Sequence, residues 1–485
     1  MQAELLQILD NHKEQLINLY PDLITHLLSG EFQEFEKKLH EFSTDLYNQI
    51  ALIIIAAVAE TSALKQVAQI IGQKKGLTAL RKSETTLQLK TGFSIKVFSW
   101  YASRAKSKRK GKKGKKQKRG PNGSGCHLLL EYWGCIEKAT PAYYSYVSML
   151  GILCPSFATV VKILTDQKIA AEYNRVKKIA YQVGEKSFLN RIRIGLKSGE
   201  NVIGKIVVIM VDGGRTRMRE ENPDKKPSKS NKGKRKKFDT PWREPKLFVI
   251  HILNEDGSIC KTELPIYDAV ISDPEGKSSA NRCFELLSDY LKALKIDQAR
   301  QVLFIADGAD WIWNRAKSTL LKLGVAEDKI SEAVDYYHAV EHISDIVSKI
   351  RKVDQHQKKV FVKELKNLLW EGKLEQLISK VTALAKGRKL ILDKLNYFHK
   401  HINRMRYDQL RQNNLPCGSG IVESAIRRVI NLRFKSPSTF WKCENVEKLI
   451  FLRAIFLAGR WNIMINNLVK LHHYPLQMNL KLVYN

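Results

Sequence analysis

Three acidic residues stand where a metal-dependent reaction would need them: Asp212 in VIMVDGG, Asp307 in LFIADGADWIW and Glu423 in CGSGIVESAIRR. Asp212 and Asp307 each close a strongly apolar run and are followed by Gly. An acid leaving the end of a buried strand has a rigidly held backbone and a carboxylate that faces a cleft at the sheet edge. Glu423 follows a Gly-rich turn and falls in the first turns of a helical region. Singly these signals are ordinary, because Asp-Gly is a common turn dipeptide and an acid near a helix start is favoured by the helix dipole. Together they point to one pocket. Three clustered carboxylates repel one another unless cations neutralise them. Hard oxygen ligands select Mg²⁺ or Mn²⁺, which also take substrate phosphate oxygens. Two such ions about 4 Å apart would activate a water or a 3′-hydroxyl and stabilise the leaving oxygen of an in-line phosphodiester displacement.

A second group lies between the last two acids, in DYYHAVEH. Asp335 and His338 sit at the end of a strand, where a His hydrogen-bonds a neighbour or supports a metal ligand. His342 follows four residues later, but without an HExxH pattern or cysteine partners a zinc site is not supported. Basic residues surround the acids. Arg215 and Arg217 alternate after Asp212 and share one face of an extended segment, with Arg219 continuing the pattern. Arg427, Arg428 and Arg433 lie one to three turns after Glu423. A solvated basic face is the plain reading, and phosphate clamps are the functional one. Trp311, Trp313 and Trp441 are candidate base-stacking residues, although burial is the usual fate of Trp.

These residues need a sheet to hold them. From about residue 203 the pattern predicts strands at Gly204–Val211, Lys246–Leu253, Ser258–Tyr267 continuing through Asp268–Ile271, Gln301–Ala306 and Ile330–Tyr337. Helices are predicted at Gly276–Lys295 and Trp311–Leu323. Three strands, then helix, strand, helix, strand, make a mixed five-stranded α/β sheet. A helix-rich stretch follows at about 339–412, and a last helical region runs from Ile421 to Leu468. The N-terminal part is mainly helical. It is broken by a β-hairpin at Thr86–Tyr101 around Thr91-Gly92, and the short helices after His127 are compatible with a helix-turn-helix.

Charge sets the class of partner. Lys plus Arg total 82 and Asp plus Glu total 49, so the net charge is 82 − 49 = +33. Such an excess repels itself and signals a polyanion, most often nucleic acid. Eleven of the 16 residues Arg104–Arg119 are basic, among them Lys108, Arg109, Lys110, Lys112 and Lys113. Eight of the 13 residues Lys225–Lys237 are basic, including Lys234, Arg235 and Lys236. Neither run can build a core, and both are predicted as exposed nucleic-acid-binding loops. Seven scattered cysteines without a CxxC pair fit a reducing compartment. The N-terminus lacks the pattern of a signal peptide, and the longest apolar run, Ile50–Ala59, is half of the ~20 residues a membrane span needs. The expectation is a soluble intracellular protein with no membrane role.

VDGG, ADGADWIW, DYYHAVEH and GSGIVESAIRR, in this order and setting, resemble the DDE transposases of bacterial insertion sequences, in the Mutator-like branch and nearest the ISKra group. The resemblance covers roughly residues 203–465. It implies an RNase H-like catalytic core with a helical insertion before the last acid. Asp212, Asp307 and Glu423 match the catalytic acids that bind two Mg²⁺ or Mn²⁺ ions, and Asp335 and His338 match a D-x-x-H signature. N-terminal to this core the residue pattern predicts a helical module at 1–82, a hairpin and basic loop at 83–125 and a helical region at 126–200 that is compatible with a DNA-binding helix-turn-helix. The core would occupy 203–340, the insertion 341–412, the completing Glu helix 413–470 and a tail 471–485. Partners would be terminal inverted repeats and target DNA, with an oligomer of at least two copies, in a bacterial cytoplasm in association with the nucleoid. Relatives often carry paired cysteines after the hairpin, where this chain has only Cys126. Rival readings are a non-catalytic or repurposed DNA-binding protein and another RNase H-like nuclease.

Overall fold

A computed structural model of the chain describes residues 2–77, 79–103, 125–222, 238–271, 278–351, 353–385, 387–436 and 439–471. The basic residues Lys108, Arg109, Lys110, Lys112, Lys113, Lys234, Arg235 and Lys236 lie outside the described residues, as does almost all of the expected tail. The chain divides into two compact units, residues 1–186 with 465–485, and residues 187–464.

The first unit begins with α1 (Gln2–Leu28), α2 (Phe32–Ala59) and α3 (Ser62–Lys74). Thr61 caps α3 by accepting the Leu64 amide, which satisfies one of the free donors of the first turn. Strands β1 (Ala79–Gln88) and β2 (Ser94–Ser103) pair antiparallel from Ala79↔Ser103 to Gln88↔Ser94, and β3 (Cys126–His127) adds to β2. The hairpin is therefore longer at both ends than the sequence pattern suggests, with Gly92 in the turn at φ +83°. Helices α4 (Leu128–Tyr132), α5 (Pro141–Leu153), α6 (Phe157–Asp166) and α7 (Tyr173–Phe188) complete this unit. Val67, Ala68, Ile71, Ala102, Leu128 and Leu129 form one core, where α3 and α4 cover the hairpin. Among the described residues α2 is the one single helix long and apolar enough to cross a membrane. Its first half also carries Glu34, Glu36, Lys37, Lys38 and Glu41.

The second unit is built on a mixed sheet. After α8 (Arg191–Gly195) comes β4 (Ile206–Gly213), whose first six residues are all buried. Two-residue strands β5 (Thr216–Arg217), β6 (Glu220–Glu221), β7 (Phe238–Asp239) and β8 (Trp242–Arg243) follow, then β9 (Lys246–Leu253), β10 (Ile266–Val270) and α9 (Ser279–Ala293). Next come β11 (Gln301–Ala306), α10 (Asp310–Trp313), α11 (Ala316–Lys322) and β12 (Ile330–Val334). The sheet order is β10-β9-β4-β11-β12. Strands β4, β11 and β12 run parallel, and β9 is antiparallel to both of its neighbours. Burial of strand residues that are apolar throughout explains why β4 can sit at the centre. Each fully buried Val, Ile or Met contributes about 1.5–3 kcal/mol.

The remaining helices are α12 (Tyr336–Ser348), α13 (Gln355–Trp370), α14 (Leu374–Ala385), α15 (Lys389–Lys400), α16 (Tyr407–Gln412), α17 (Gly420–Ala425), α18 (Leu432–Phe434), α19 (Cys443–Leu457) and α20 (Trp461–Lys470). A π-helical turn, Ile426–Asn431, joins α17 to α18. Two strands differ from the sequence expectation. The third is confined to Ile266–Val270, because residues 258–265 turn before Pro265 instead of pairing continuously. The fifth ends at Val334, because Asp335 caps α12 by accepting the His338 amide. Asp335 therefore begins a helix, and His338 and His342 lie on successive turns of α12.

Candidate active site

The parallel register places the acids side by side. Val211 pairs with Ala306, and Ala306 with Val334. The next residues along the three neighbouring strands are Asp212, Asp307 and Asp335. Adjacent strands lie about 4.8 Å apart, and residues in register face the same side of a sheet. Three aspartates therefore stand at one end of the sheet in consecutive strands. The Asp335 amide donates to the Ala306 carbonyl at 2.8 Å, which extends the pairing past Val334.

Asp212 and Asp307 form the inner pair, both half-buried. Burial pushes the Asp212 acid above its ordinary value, and the neighbouring Asp307 charge adds to this against the pull of His338 and Lys246. Asp212 Oδ1 accepts the Gly213 amide at 2.6 Å. Asp307 Oδ1 accepts the Ala309 amide at 3.0 Å, and the Asp307 carbonyl accepts the Trp313 indole at 2.7 Å. Both glycines that follow the acids have ordinary backbone angles, and Gly308 is needed for space, whereas the exposed Glu244 side chain could swing away from a Cβ on Gly213. A Cβ on Gly213 would come within 2.1 Å of the Glu244 carboxylate, and one on Gly308 within 2.1 Å of the Tyr397 ring.

Asp335 plays a different part. It is buried, and its Oδ2 accepts both the amide and the hydroxyl of Ser419, the hydroxyl at 2.7 Å. The Tyr336 amide donates to the Cys417 carbonyl at 2.9 Å. Asp335 thus fastens the Gly418-Ser419-Gly420 turn, which starts α17 and carries Glu423. Burial works against its ionised form. Hydrogen bonds from His338, the Ser419 hydroxyl and the Ser419 amide outweigh that, and hold its acid down at about 2. His338 lies 3.4 Å from the Asp335 carboxylate through Nδ1. That contact outweighs its partial burial, and with help from Glu341 and Asp307 raises the imidazole to about 9. His338 is therefore held as a cation at neutral pH, beside Asp335 and within the field of Asp307.

Glu423 lies on the exposed side of α17, a helix that packs against β4 and β9. The π-helical turn after it brings Ile430 against Gly214, two residues beyond Asp212. Among the described residues no group of three or more His, Cys, Asp or Glu side chains lies close enough to hold a metal ion. The inner pair is thus two aspartates with Glu423 outside it. Two half-buried carboxylates, one of them destabilised by the other, suit a hard divalent cation in donor type.

The basic candidates separate. Arg215 and Arg217 alternate outward while Thr216 and Met218 are buried. The Arg217 guanidinium lies over Trp242 at 5.1 Å. Arg427 is exposed, whereas Arg428 is partly buried and contacts the Tyr267 phenol on β10. Trp313 and Trp441 are buried, the first behind Asp307 and the second under Arg433. Three residues near the acids carry no signature of their own in the sequence. Lys246, buried at the start of β9, pairs in register with Gly213 and lies 3.9 Å over Trp311. The Tyr397 phenol on α15 is pushed up by burial and by Asp307 and Asp335. It stacks on His342 at 3.8 Å, and its hydroxyl has no hydrogen-bond partner among the described residues. Ser419 is the third. A lysine that opens the apolar run KLFVIHIL was the available clue for Lys246 alone.

No family model matches this chain, and no curated protein is significantly similar to it. The acids, their register and the charge around them must carry the functional argument.

Proposed function

We propose that the chain is a DDE transposase of an insertion sequence, a polynucleotidyl transferase with an RNase H-like core. The observation that carries this reading is the lockstep of Asp212 and Asp307 at the ends of neighbouring parallel strands, in a protein of net charge +33. The order β10-β9-β4-β11-β12 supports it, because it makes the first and fourth strands neighbours, as the two leading acids of such a core require. Asp212 and Asp307 would hold Mg²⁺ or Mn²⁺, two ions in all, and Glu423, exposed on α17 outside that pair, would have to close on them to complete the set. When bound, such ions supply Lewis-acid activation of a water or 3′-hydroxyl and charge neutralisation at the phosphate.

The chain's own residues do the rest. Asp335 sets the position of the Glu423 helix through Ser419. His338, held as a cation by Asp335, presents positive charge toward a phosphate at the acids. Arg215, Arg217 and Arg427 are exposed at the surface, where they can take phosphate contacts. The substrate would be the element's terminal inverted repeats, cut to expose a 3′-hydroxyl that then attacks target DNA. Joining two ends needs at least two copies. The exposed stripe of Leu6, Leu9, Leu16, Ile17, Tyr20 and Leu28 on α1 supports self-association through the first unit.

Strand cleavage and transfer on end-containing DNA with Mg²⁺ tests the reading. Asp212→Asn, Asp307→Asn and Glu423→Gln are each expected to lower the rate by at least 100-fold, with DNA binding retained. Cleavage equal to the parent's in all three variants would sink the catalytic assignment and leave a non-catalytic DNA-binding protein. Cleavage without transfer would leave a simple nuclease.

A further inference from the structure

Within the second unit an open groove of about 730 Å³ begins where the acids end. On one side Lys359, Lys363, Lys366 and Trp370 recur at intervals of four, three and four residues, so α13 presents them as a single stripe. On the other stand Tyr336 and Tyr337, the two residues between Asp335 and His338, with Arg411 beside them. The rings are already assembled. Tyr336 meets Trp370 edge-on at 4.9 Å between centroids and Tyr337 at 5.7 Å. The Arg411 guanidinium covers Trp370 at 4.4 Å. Tyr337 is 68% exposed and Trp370 37%. Among the described residues no carboxylate lines the groove, and the three lysines form no ion pair.

Lysines alone would read as a solvated helix face. Exposed rings beside lysines without an ion pair are a different combination, since an exposed ring can take a base and a cation can take a phosphate. We infer that this groove binds unpaired nucleotides of a DNA strand. Bases stack on Trp370 and Tyr337, and phosphates pair with Lys359, Lys363, Lys366 and Arg411. A single strand can lay its bases on exposed rings, whereas a duplex keeps its base faces stacked inside. Its place fits a strand that leaves the acids, because a Cβ on Gly418 would lie 3.0 Å from Tyr337 and 3.8 Å from Asp335 Oδ2. The inference rests on the nucleic-acid reading above and names where the displaced strand goes.

Binding without divalent metal tests it, with three labelled probes: oligo(dT), an abasic strand of equal length and an oligo(dT)·oligo(dA) duplex. Trp370→Ala is expected to weaken oligo(dT) binding by about 5- to 150-fold and to leave the abasic strand unchanged. Lys363→Glu combined with Lys366→Glu is expected to weaken both single strands. If Trp370→Ala lowers the melting temperature, Trp370→Phe and the exposed Tyr337→Ala decide in its place. Aromatic variants that bind oligo(dT) as the parent does, or that lose equally on the abasic strand, overturn the proposal. So does tighter parental binding to oligo(U) RNA than to oligo(dT). The assay is independent of catalysis, so loss of the transposase reading leaves base-dependent binding to stand or fall separately.

Discussion

At the scale of single residues, Asp335 is an acid with three tasks. It caps α12, holds Ser419 and pairs with His338 at once. His338, raised to about 9, contributes stability that is full below its ordinary value of 6.5 and is lost as pH rises through about 9. Asp335, lowered to about 2, contributes stability present above its ordinary value of 3.8 and lost as pH falls through about 2. The latch is therefore intact from weakly acidic to neutral pH. Proton NMR of the His338 ring is expected to titrate well above 6.5, and Asp335→Asn to return it toward that value; a midpoint unmoved by the substitution would separate the two residues. Gly308 is constrained by space. Gly308→Ala drives a methyl into the Tyr397 ring and is expected to cost about 1–3 kcal/mol. Thermal denaturation checks this, and the double variant with Tyr397→Ala should lose less than the sum of the singles.

At the scale of elements, a buried arginine ties together segments that the sheet itself does not. Arg460 is fully buried after α19. It bonds Glu200 at 2.6 and 2.9 Å and also the carbonyls of Gly195, Leu264 and Pro265, at the end of α8 and the approach to β10. Arg460→Ala removes the donor that those acceptors share, leaving Glu200 with the Lys197 amide, and is expected to cost about 3–5 kcal/mol, read as a lowered urea midpoint. Nothing in the sequence marks Arg460, since a lone arginine between two helices reads as surface. The sheet, by contrast, was legible strand by strand, because β4, β9 and β11 are uniform apolar runs. The third strand begins later than expected, because SICKTELP, which has no sustained apolar–polar alternation, folds as a turn ahead of Ile266. The fifth was drawn too long, because a capping aspartate and a strand-end aspartate look alike until the helix behind them is seen. Asp212 and Asp307 were legible from the run before each. Lys246, Tyr397 and Ser419 were not, because their neighbours lie far away in the chain.

At the scale of the whole molecule, a charge of +33 must be neutralised for a compact protein to work on a polyanion. If nucleic acid is the partner, the logarithm of affinity should fall linearly with the logarithm of salt concentration. A slope of about −5 or steeper is expected, which corresponds to roughly six neutralised phosphates at about 0.9 each. Fluorescence anisotropy across a salt series measures it, and a slope near zero would remove nucleic acid as the source of the excess. The exposed arginines near the acids and the lysine stripe of α13 set a lower bound on the contacts available.

The central position of β4 has one more consequence, for how the protein is made. The strand IVVIMV leaves the ribosome with both hydrogen-bonding edges bare. One edge is covered when β9 is synthesised, but the other waits for Gln301–Ala306, after an intervening helix and loop. During that interval the nascent chain displays an uncharged, β-branched edge of the kind that recruits other chains. A fragment of residues 187–300 is therefore expected to precipitate, and one of residues 187–464 to stay in solution.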